Sequence, residues 1–207
     1  MKFGMHLVLA LFLATLSTGS GAVVDTSPDV LAKNVTNDVL RIVKQDKDIK
    51  NGNRKKVQSL VEDKVLPIFD FRQMTQQAVG KNWSKATADQ QQDLVAEFRT
   101  LLVRTYSSAL ASVSDYNIEF KPMKVAPGDD DVTINTEVSK PGAPPIPIDY
   151  RMAKQEHGWK VVDVKVEGAS LVRVYRTTFD SEVRRGGIEG LLGALQRRNQ
   201  KTAEGMR

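Results

Sequence analysis

In the first half of the chain, apolar residues recur at the spacing of one helix face. The pattern begins after Ser27-Pro28, a typical N-cap and first-turn proline. Further along, Thr87-Ala88-Asp89-Gln90 has the spacing of a capping box, in which two side chains bond each other's backbone N–H groups. That box opens the strongest helical pattern of the chain, an apolar stripe from Leu94 to Leu110. The sequence therefore predicts a helical part over residues 28–112.

From Tyr116 the apolar spacing shortens to two residues, the period of a half-buried strand. Four such segments follow one another, and the last, Trp159–Val166, is apolar almost throughout, which favours a central strand. Short turns separate the segments, among them the acidic turn Asp129-Asp130-Asp131. Residues 116–167 therefore predict an antiparallel four-stranded sheet with one apolar face. The apolar stripes of the helices are expected to cover that face.

Helical spacing returns after Ser170 and is interrupted at Gly186-Gly187. We expect C-terminal helices over residues 170–196 and a flexible tail over residues 197–207. The fold class is therefore α+β, with N- and C-terminal helices packed on the sheet. Residues 23–196 are long enough to form a single domain with a substantial core.

The first 22 residues have the layout of a secretory signal peptide. Lys2 gives a positive start, residues 7–16 are apolar, and Ser20-Gly21-Ala22 is a small-residue cleavage site. The apolar run is too short to span a membrane. We therefore expect residues 1–22 to be removed during export, leaving a mature chain from Val23.

The composition offers little for catalysis. The sequence contains no cysteine, and His157 is the one histidine of the expected mature chain, so thiolate and paired-histidine metal sites are excluded. The acidic turn lacks the spacing of an EF-hand loop. The net charge of +5 is scattered rather than gathered into a basic stripe, which argues against nucleic-acid binding. We expect no catalytic residue, no metal and no cofactor, and a binding protein rather than an enzyme.

Two blocks of residues identify a family when they are taken together. The first block is Phe69-Asp70-Phe71-Arg72-Gln73-Met74-Thr75, followed by Val79-Gly80, Trp83, Phe98, Leu102 and Tyr106. The second is Gly158-Trp159-Lys160-Val161-Val162-Asp163-Val164, followed by Glu167-Gly168, Ser170-Leu171-Val172, Tyr175-Arg176 and Phe179. In this order and spacing, from about residue 28 to 196, the chain resembles the MlaC family. Its members are also called toluene-tolerance or auxiliary ABC-transporter substrate-binding proteins.

The resemblance implies helices on a curved sheet, a lobe like nuclear-transport-factor-2 domains, and a deep apolar cavity for acyl chains. It further implies a soluble periplasmic phospholipid carrier of the lipid-asymmetry (Mla) pathway. The partners implied are a phospholipid ligand, an inner-membrane ABC transporter complex and an outer-membrane lipoprotein–porin complex.

Inward-facing apolar positions are the candidates for the cavity lining. On the strands these are Ile118, Phe120, Val132, Ile134, Ile148, Tyr150, Val162 and Val164. On the helices they are Met74, Leu94, Phe98, Leu102, Tyr106, Val174 and Phe179. Spacing predicts that these side chains face the interior, whereas a cavity beside them is implied by the resemblance alone.

Two other functions stay open. An enzyme on a nuclear-transport-factor-2-like scaffold would need a convergent acid–base pair, and the inward positions contain none. A lipid-free periplasmic adaptor would instead use its apolar face to bind another protein, and it would copurify with that partner.

Overall fold

The computed structural model of the protein describes residues 26–111, 115–126 and 128–204. The expected signal peptide lies outside the described residues. The helices within them are α1 (Pro28–Gln45), α2 (Lys47–Lys50), α3 (Arg54–Leu60), α4 (Phe71–Val79), α5 (Ala88–Ala111) and α6 (Leu171–Glu204). The strands are β1 (Asn117–Phe120), β2 (Asp131–Ser139), β3 (Ile146–Gln155), β4 (Gly158–Val166) and β5 (Ala169–Ser170). No helix in this described part is both long enough and apolar enough to cross a membrane.

The chain remains helical beyond the end of α3. A five-residue π-helix, Val61–Val65, continues directly into a 3₁₀ helix, Leu66–Ile68, which contains Pro67. Proline lacks the N–H that α-helical bonding needs, so the regular helix loosens before it. Asp70 then caps α4, because its Oδ1 accepts the backbone N–H of Gln73 at 2.8 Å. α4 ends at Gly80, whose φ of +61° is favoured by glycine.

The capping box at the start of α5 is confirmed by both of its hydrogen bonds. The backbone N–H of Gln90 donates to Thr87 Oγ1 at 3.2 Å, and the backbone N–H of Thr87 donates to Gln90 Oε1 at 2.9 Å. Two of the unpaired N–H groups at this helix end are thereby satisfied. The helix that follows is 24 residues long.

The sheet is an antiparallel meander in the order β1-β2-β3-β4-β5. The four predicted strands are present, but the four-stranded count is wrong, because the two-residue strand β5 pairs with β4. β4 therefore lies between β3 and β5, with a paired strand on each side. Its outer edge is covered by β5 at one end and by a bridge between Phe69 and Val161 at the other. This cover protects an apolar edge that would otherwise be open to pairing with another chain. The lobe like nuclear-transport-factor-2 domains stays a prediction.

A bulge in β4 changes which of its residues face the helices. Arg151 pairs with Asp163, but its neighbour Met152 pairs with Val161, so Val162 is an extra residue. An extra residue breaks the strict in–out alternation of a strand. As a result Val161, rather than Val162, lies on the same face as Val164.

Helices α4, α5 and α6 enclose an apolar core that we call the filled core. At its centre the Phe98 ring makes edge-on contacts with Tyr175 and Phe179, with ring centroids 5.0 and 5.1 Å away. The remaining buried members are Met74, Ala78, Val79, Ala86, Leu94, Leu101, Leu102, Val172, Ile188, Leu191, Leu192 and Leu195. Since α6 breaks at Gly186-Gly187, leucines from its second half reach this core as well as Tyr175 and Phe179 from its first half.

A second core lies between α1 and the sheet. Its buried members are Ala32, Val132, Ile134, Met152, Trp159 and Val161. A third cluster, made by α1, α2 and α3, contains Val39, Val43, Ile49, Val57 and Leu60.

The expected flexible tail over residues 197–207 is instead helical as far as Glu204, and residues 205–207 lie outside the described part. Asn199 explains the difference, because it is 4% exposed. Its Nδ2 donates to the backbone oxygen of Glu97 at 3.0 Å and to Glu97 Oε2 at 2.6 Å. These bonds hold the end of α6 against α5.

Candidate functional site

A cavity of about 540 Å³ lies between the apolar face of the sheet and the helices. We call it the main cavity. From the helical side it is lined by Val61, Val65, Leu66, Phe69, Phe71, Met74, Leu102, Val103, Tyr106, Ser107 and Leu171. From β1 to β4 and the residue before β1 it is lined by Tyr116, Ile118, Val138, Ile146, Ile148, Tyr150, Val164 and Val166.

Strand alternation places the sheet residues on this wall. Ile146, Ile148 and Tyr150 are every second residue of β3, so they share one face. The register sets Tyr150 opposite Val164, Ile148 opposite Val166, and Val138 opposite both Ile118 and Ile146. The wall is therefore a continuous apolar patch over four strands.

The helical side of the wall comes from segments with different geometry. The π-helix contributes Val61 and Val65, and the rings of Phe69 and Phe71 stack with centroids 5.7 Å apart. π-helical turns often occur at functional sites, because the wider turn shifts side chains out of the regular helical positions. Here the π-helix and the start of α4 close the cavity opposite the sheet.

The described lining residues carry no charge. Ser107 and the hydroxyl groups of three tyrosines are their only polar side-chain groups. Across the described part of the chain, no cluster of histidine, aspartate and glutamate side chains could hold a metal ion. Such a wall can bind apolar groups, but it supplies no acid–base pair for chemistry.

Tyr150 carries a polar group within the apolar wall. The Thr136 hydroxyl donates to the backbone oxygen of Ile148 at 2.7 Å and also interacts with the Tyr150 hydroxyl. Burial raises the pKa of Tyr150 above its ordinary value, and the hydrogen bond with Thr136 opposes part of that rise. The phenol therefore stays neutral at physiological pH.

The cavity reaches the surface beside Tyr106, which lines it and is 42% exposed. At the outer ends of β1 and β2, the Lys140 ammonium lies 5.2 Å from the centroid of the Tyr116 ring. Tyr116 is itself part of the lining, so this cation–π pair lies at the rim of the cavity.

A smaller space of about 130 Å³, which we call the side chamber, lies between α1 and the sheet. Its lining is Ala32, Val35, Thr36, Val39, Leu40, Val65, Ile68, Phe69, Ile118, Tyr150 and Val161. Four of these residues, Val65, Phe69, Ile118 and Tyr150, also line the main cavity.

The structure brings seven of the fifteen candidate residues together on the main cavity wall: Met74, Leu102, Tyr106, Ile118, Ile148, Tyr150 and Val164. The other eight lie elsewhere. Leu94, Phe98 and Phe179 are in the filled core, and Val132, Ile134 and Phe120 belong to the core between α1 and the sheet. Val162 is buried at the bulge, and Val174 points to solvent with 55% exposure.

The remaining lining residues were not among the candidates. Val138 and Ile146 continue the alternation of β2 and β3, so that signal could have found them. Val61, Val65 and Leu66 lie in the π-helical and 3₁₀ turns, where regular helical spacing does not apply.

Comparison with known proteins gives the same family as the residue blocks. The family model described as MlaC protein matches residues 33–197. A relative from Pseudomonas putida named toluene tolerance protein ttg2D is 22% identical over 181 residues, which cover 84% of each chain.

A solved structure is also similar. It is the phospholipid-binding protein from Ralstonia solanacearum in complex with a phospholipid, with 38% sequence identity and a TM-score of 0.80. The match covers 86% of this chain and 99% of the Ralstonia chain. The α+β arrangement of helices and antiparallel sheet is thus shared with a protein that holds a phospholipid.

Proposed function

Because this chain belongs to the MlaC protein family, we propose that it is a phospholipid carrier whose main cavity shields acyl chains from water. The observation that carries the proposal is the uncharged, open cavity of about 540 Å³ in a chain 38% identical to a phospholipid-bound protein. An apolar cavity that no side chain fills can hold an apolar ligand and keep it out of water.

The energetics favour a carrier over free diffusion of the lipid. A phospholipid with two chains of about 15 methylenes would expose them to water at a cost of roughly 24 kcal/mol, at about 0.8 kcal/mol per methylene. The apolar wall of the main cavity lowers this cost by removing a large part of the acyl surface from water. Polar head groups need no such shelter and stay at the rim near Tyr106 and Lys140.

The proposal extends to place and partners. The protein is exported to the periplasm after loss of residues 1–22 and moves phospholipids between an outer-membrane lipoprotein–porin complex and an inner-membrane ABC transporter complex. Family membership supports this route. The cavity supports the cargo, since its described lining residues form an apolar wall that suits acyl chains.

The first test is purification from a Gram-negative host without detergent, followed by solvent extraction and lipid mass spectrometry. We expect close to one phospholipid per protein. A folded protein free of lipid would overturn the proposal and favour the adaptor, which would then be sought by pull-down.

A cavity variant and a matched control test whether the bound lipid occupies the main cavity. Ile148→Trp places a large ring in the main cavity and is expected to lower bound lipid several-fold while circular dichroism stays unchanged. Val30→Trp makes the same kind of change on the exposed side of α1, where Val30 is 43% exposed, and should leave the lipid content intact. Equal lipid content in both folded variants would contradict the assignment of the cavity.

The route is tested separately. Lipid-loaded protein is mixed with proteoliposomes that contain the inner-membrane complex, and with empty liposomes as the control. Transfer of labelled phospholipid only to or from the proteoliposomes supports the shuttle. Equal exchange with both would overturn it without touching lipid binding.

A further inference from the structure

We propose that the side chamber receives the far end of an acyl chain, and that the wall between the two spaces sets the acyl length that the protein prefers. This inference rests on the proposed phospholipid binding. It adds to that binding a selection by acyl length, which depends on four residues from four separate segments of the chain.

The four residues common to both linings form the wall. Ile118 and Tyr150 come from the sheet, Val65 from the end of the π-helix, and Phe69 from the segment before α4. Since each of them borders both spaces, these side chains separate the main cavity from the side chamber. An acyl chain that is too long for the main cavity must pass them.

The side chamber suits an acyl end by size and by chemistry. Its 130 Å³ corresponds to about four groups of water size, at roughly 30 Å³ each, and a methylene is of similar size. Among its described lining residues only Thr36 and Tyr150 carry polar side-chain groups, and the Tyr150 hydroxyl already interacts with Thr136. Apolar cavities of this kind stay dry and accept apolar ligands, whereas a water needs two or more polar partners.

Phe69 is the part of the wall whose backbone is held independently of its ring. Its backbone bridges Val161, and the next N–H, that of Asp70, donates to the Val161 oxygen at 2.9 Å. The backbone is therefore held by the edge of β4, while the ring projects between the two spaces. Truncating the ring should join the spaces and leave the backbone in place.

The opposite change is to fill the side chamber. Ala32 lies on α1, is 7% exposed, and lines the side chamber but not the main cavity. Phenylalanine at this position would occupy the space that the wall separates from the main cavity. The two substitutions should therefore shift acyl preference in opposite directions.

The experiment loads each purified protein from an equimolar mixture of phosphatidylcholines with 14, 16, 18 and 20 carbons per chain. Bound lipid is then extracted and its acyl length measured by mass spectrometry. Phe69→Ala should shift the mean bound length upward by about two to four carbons, following the capacity of the side chamber. Ala32→Phe should deplete the longest chains at least threefold, with one lipid still bound per protein.

Phe179→Ala is the matched control, because it removes the same ring from the filled core, away from both spaces. It should leave the bound acyl length unchanged. If Phe69→Ala does not fold, Val65→Ala opens the wall from the helical side and serves in its place.

Wild-type acyl distributions in both folded variants, at full lipid loading, would overturn the inference and leave the side chamber as a packing gap. A wild-type protein that takes up no lipid at all would instead overturn the proposed function. The two failures are therefore distinguishable in one data set.

Discussion

Two apolar interiors lie side by side in this molecule, and only one of them is filled. In the filled core, Phe98 and Leu101 are 0% exposed and Leu191 is 1% exposed. Around the main cavity, most lining residues are only partly buried, and Tyr106 is 42% exposed. The residue types are alike in the two places, so hydrophobicity does not distinguish them.

Helix α5 borders both interiors. Phe98 meets aromatic rings from α6, whereas Tyr106, eight residues later on the same stripe, faces the main cavity. The two parts of α5 differ in the segments that pack against them. The second half of α6 turns back after Gly187 to add Ile188, Leu191 and Leu195 to the filled core. No described element supplies a comparable set of side chains to the main cavity, which leaves room for a ligand.

The largest effect should follow from truncating the filled core. Phe98→Ala should lower the free energy of unfolding by about 3–5 kcal/mol, because it leaves an enclosed void among side chains that cannot collapse into it. Ile148→Ala in the main cavity should cost less than about 2 kcal/mol, since Ile148 already borders open space. Urea unfolding of the delipidated proteins measures both values.

Added phospholipid should distinguish the two substitutions further. Adding phospholipid should stabilise the Phe98→Ala protein as much as the wild type, because its cavity is intact, and should stabilise the Ile148→Ala protein less. Similar unfolding costs for the two substitutions would mean that the main cavity is closed in solution. The distinction between the two interiors would then be lost.

Much of the fold could be predicted because its signals are local. The capping box, the end of α4 at Gly80 and the four longer strands each depend on a few neighbouring residues. β5 was not predicted, because a strand of two residues is too short to show an alternating pattern. The apolar sequence of β4 correctly indicated a strand covered on both edges, by β3 on one side and by β5 and the segment at Phe69 on the other.

The site was harder to predict, for a physical reason. Periodicity shows which side of an element faces inward, but it does not show whether another side chain lies opposite. Val132 and Ile148 have the same pattern, yet Val132 packs in a closed core and Ile148 lines the cavity. The bulge at Val162 adds a second limit, because one extra residue reverses the expected face. Val174 shows a third, since an apolar residue at helical spacing can still be exposed.

A substitution at the bend in α6 should have an effect of intermediate size on stability. Gly187 has φ +65° and ψ −163°, a conformation that is essentially restricted to glycine. Gly187→Ala should therefore cost about 1–3 kcal/mol and loosen the filled core, with little change in lipid bound per folded protein. Differential scanning calorimetry and lipid extraction on the same sample measure the two quantities.

Gly190→Ala is the control for the bend. Gly190 lies three residues further along in regular helix, and a Cβ there would meet the Glu182 backbone oxygen at an ordinary 3.5 Å. This substitution should raise stability by up to about 1 kcal/mol, because alanine favours a helix over glycine. A loss of stability at Gly190 as large as that at Gly187 would show that any added methyl group disturbs α6, and that the bend has no special role.

The smallest expected effect concerns the phenol pKa of one tyrosine in each interior. Burial raises the pKa of Tyr150 at the cavity wall and of Tyr175 in the filled core. A raised pKa in the folded state means that the folded protein holds the phenol proton more tightly than the unfolded chain. The stability from each tyrosine is therefore complete below pH of about 10 and is lost as the pH rises through the folded pKa.

Tyr150→Phe and Tyr175→Phe should each flatten the fall in urea midpoint between pH of about 8 and 11, relative to the wild type. Lipid separates the two, because only Tyr150 borders the cavity. Bound acyl chains exclude water from Tyr150 and should raise the pKa of its phenol further. The pKa of Tyr175 should change less, because Tyr175 is linked to the cavity only through its interaction with Tyr106. Phenolate absorbance, titrated with and without phospholipid, measures this difference. An equal response of both tyrosines to lipid would mean that loading alters the filled core as well, so that the two interiors act as one.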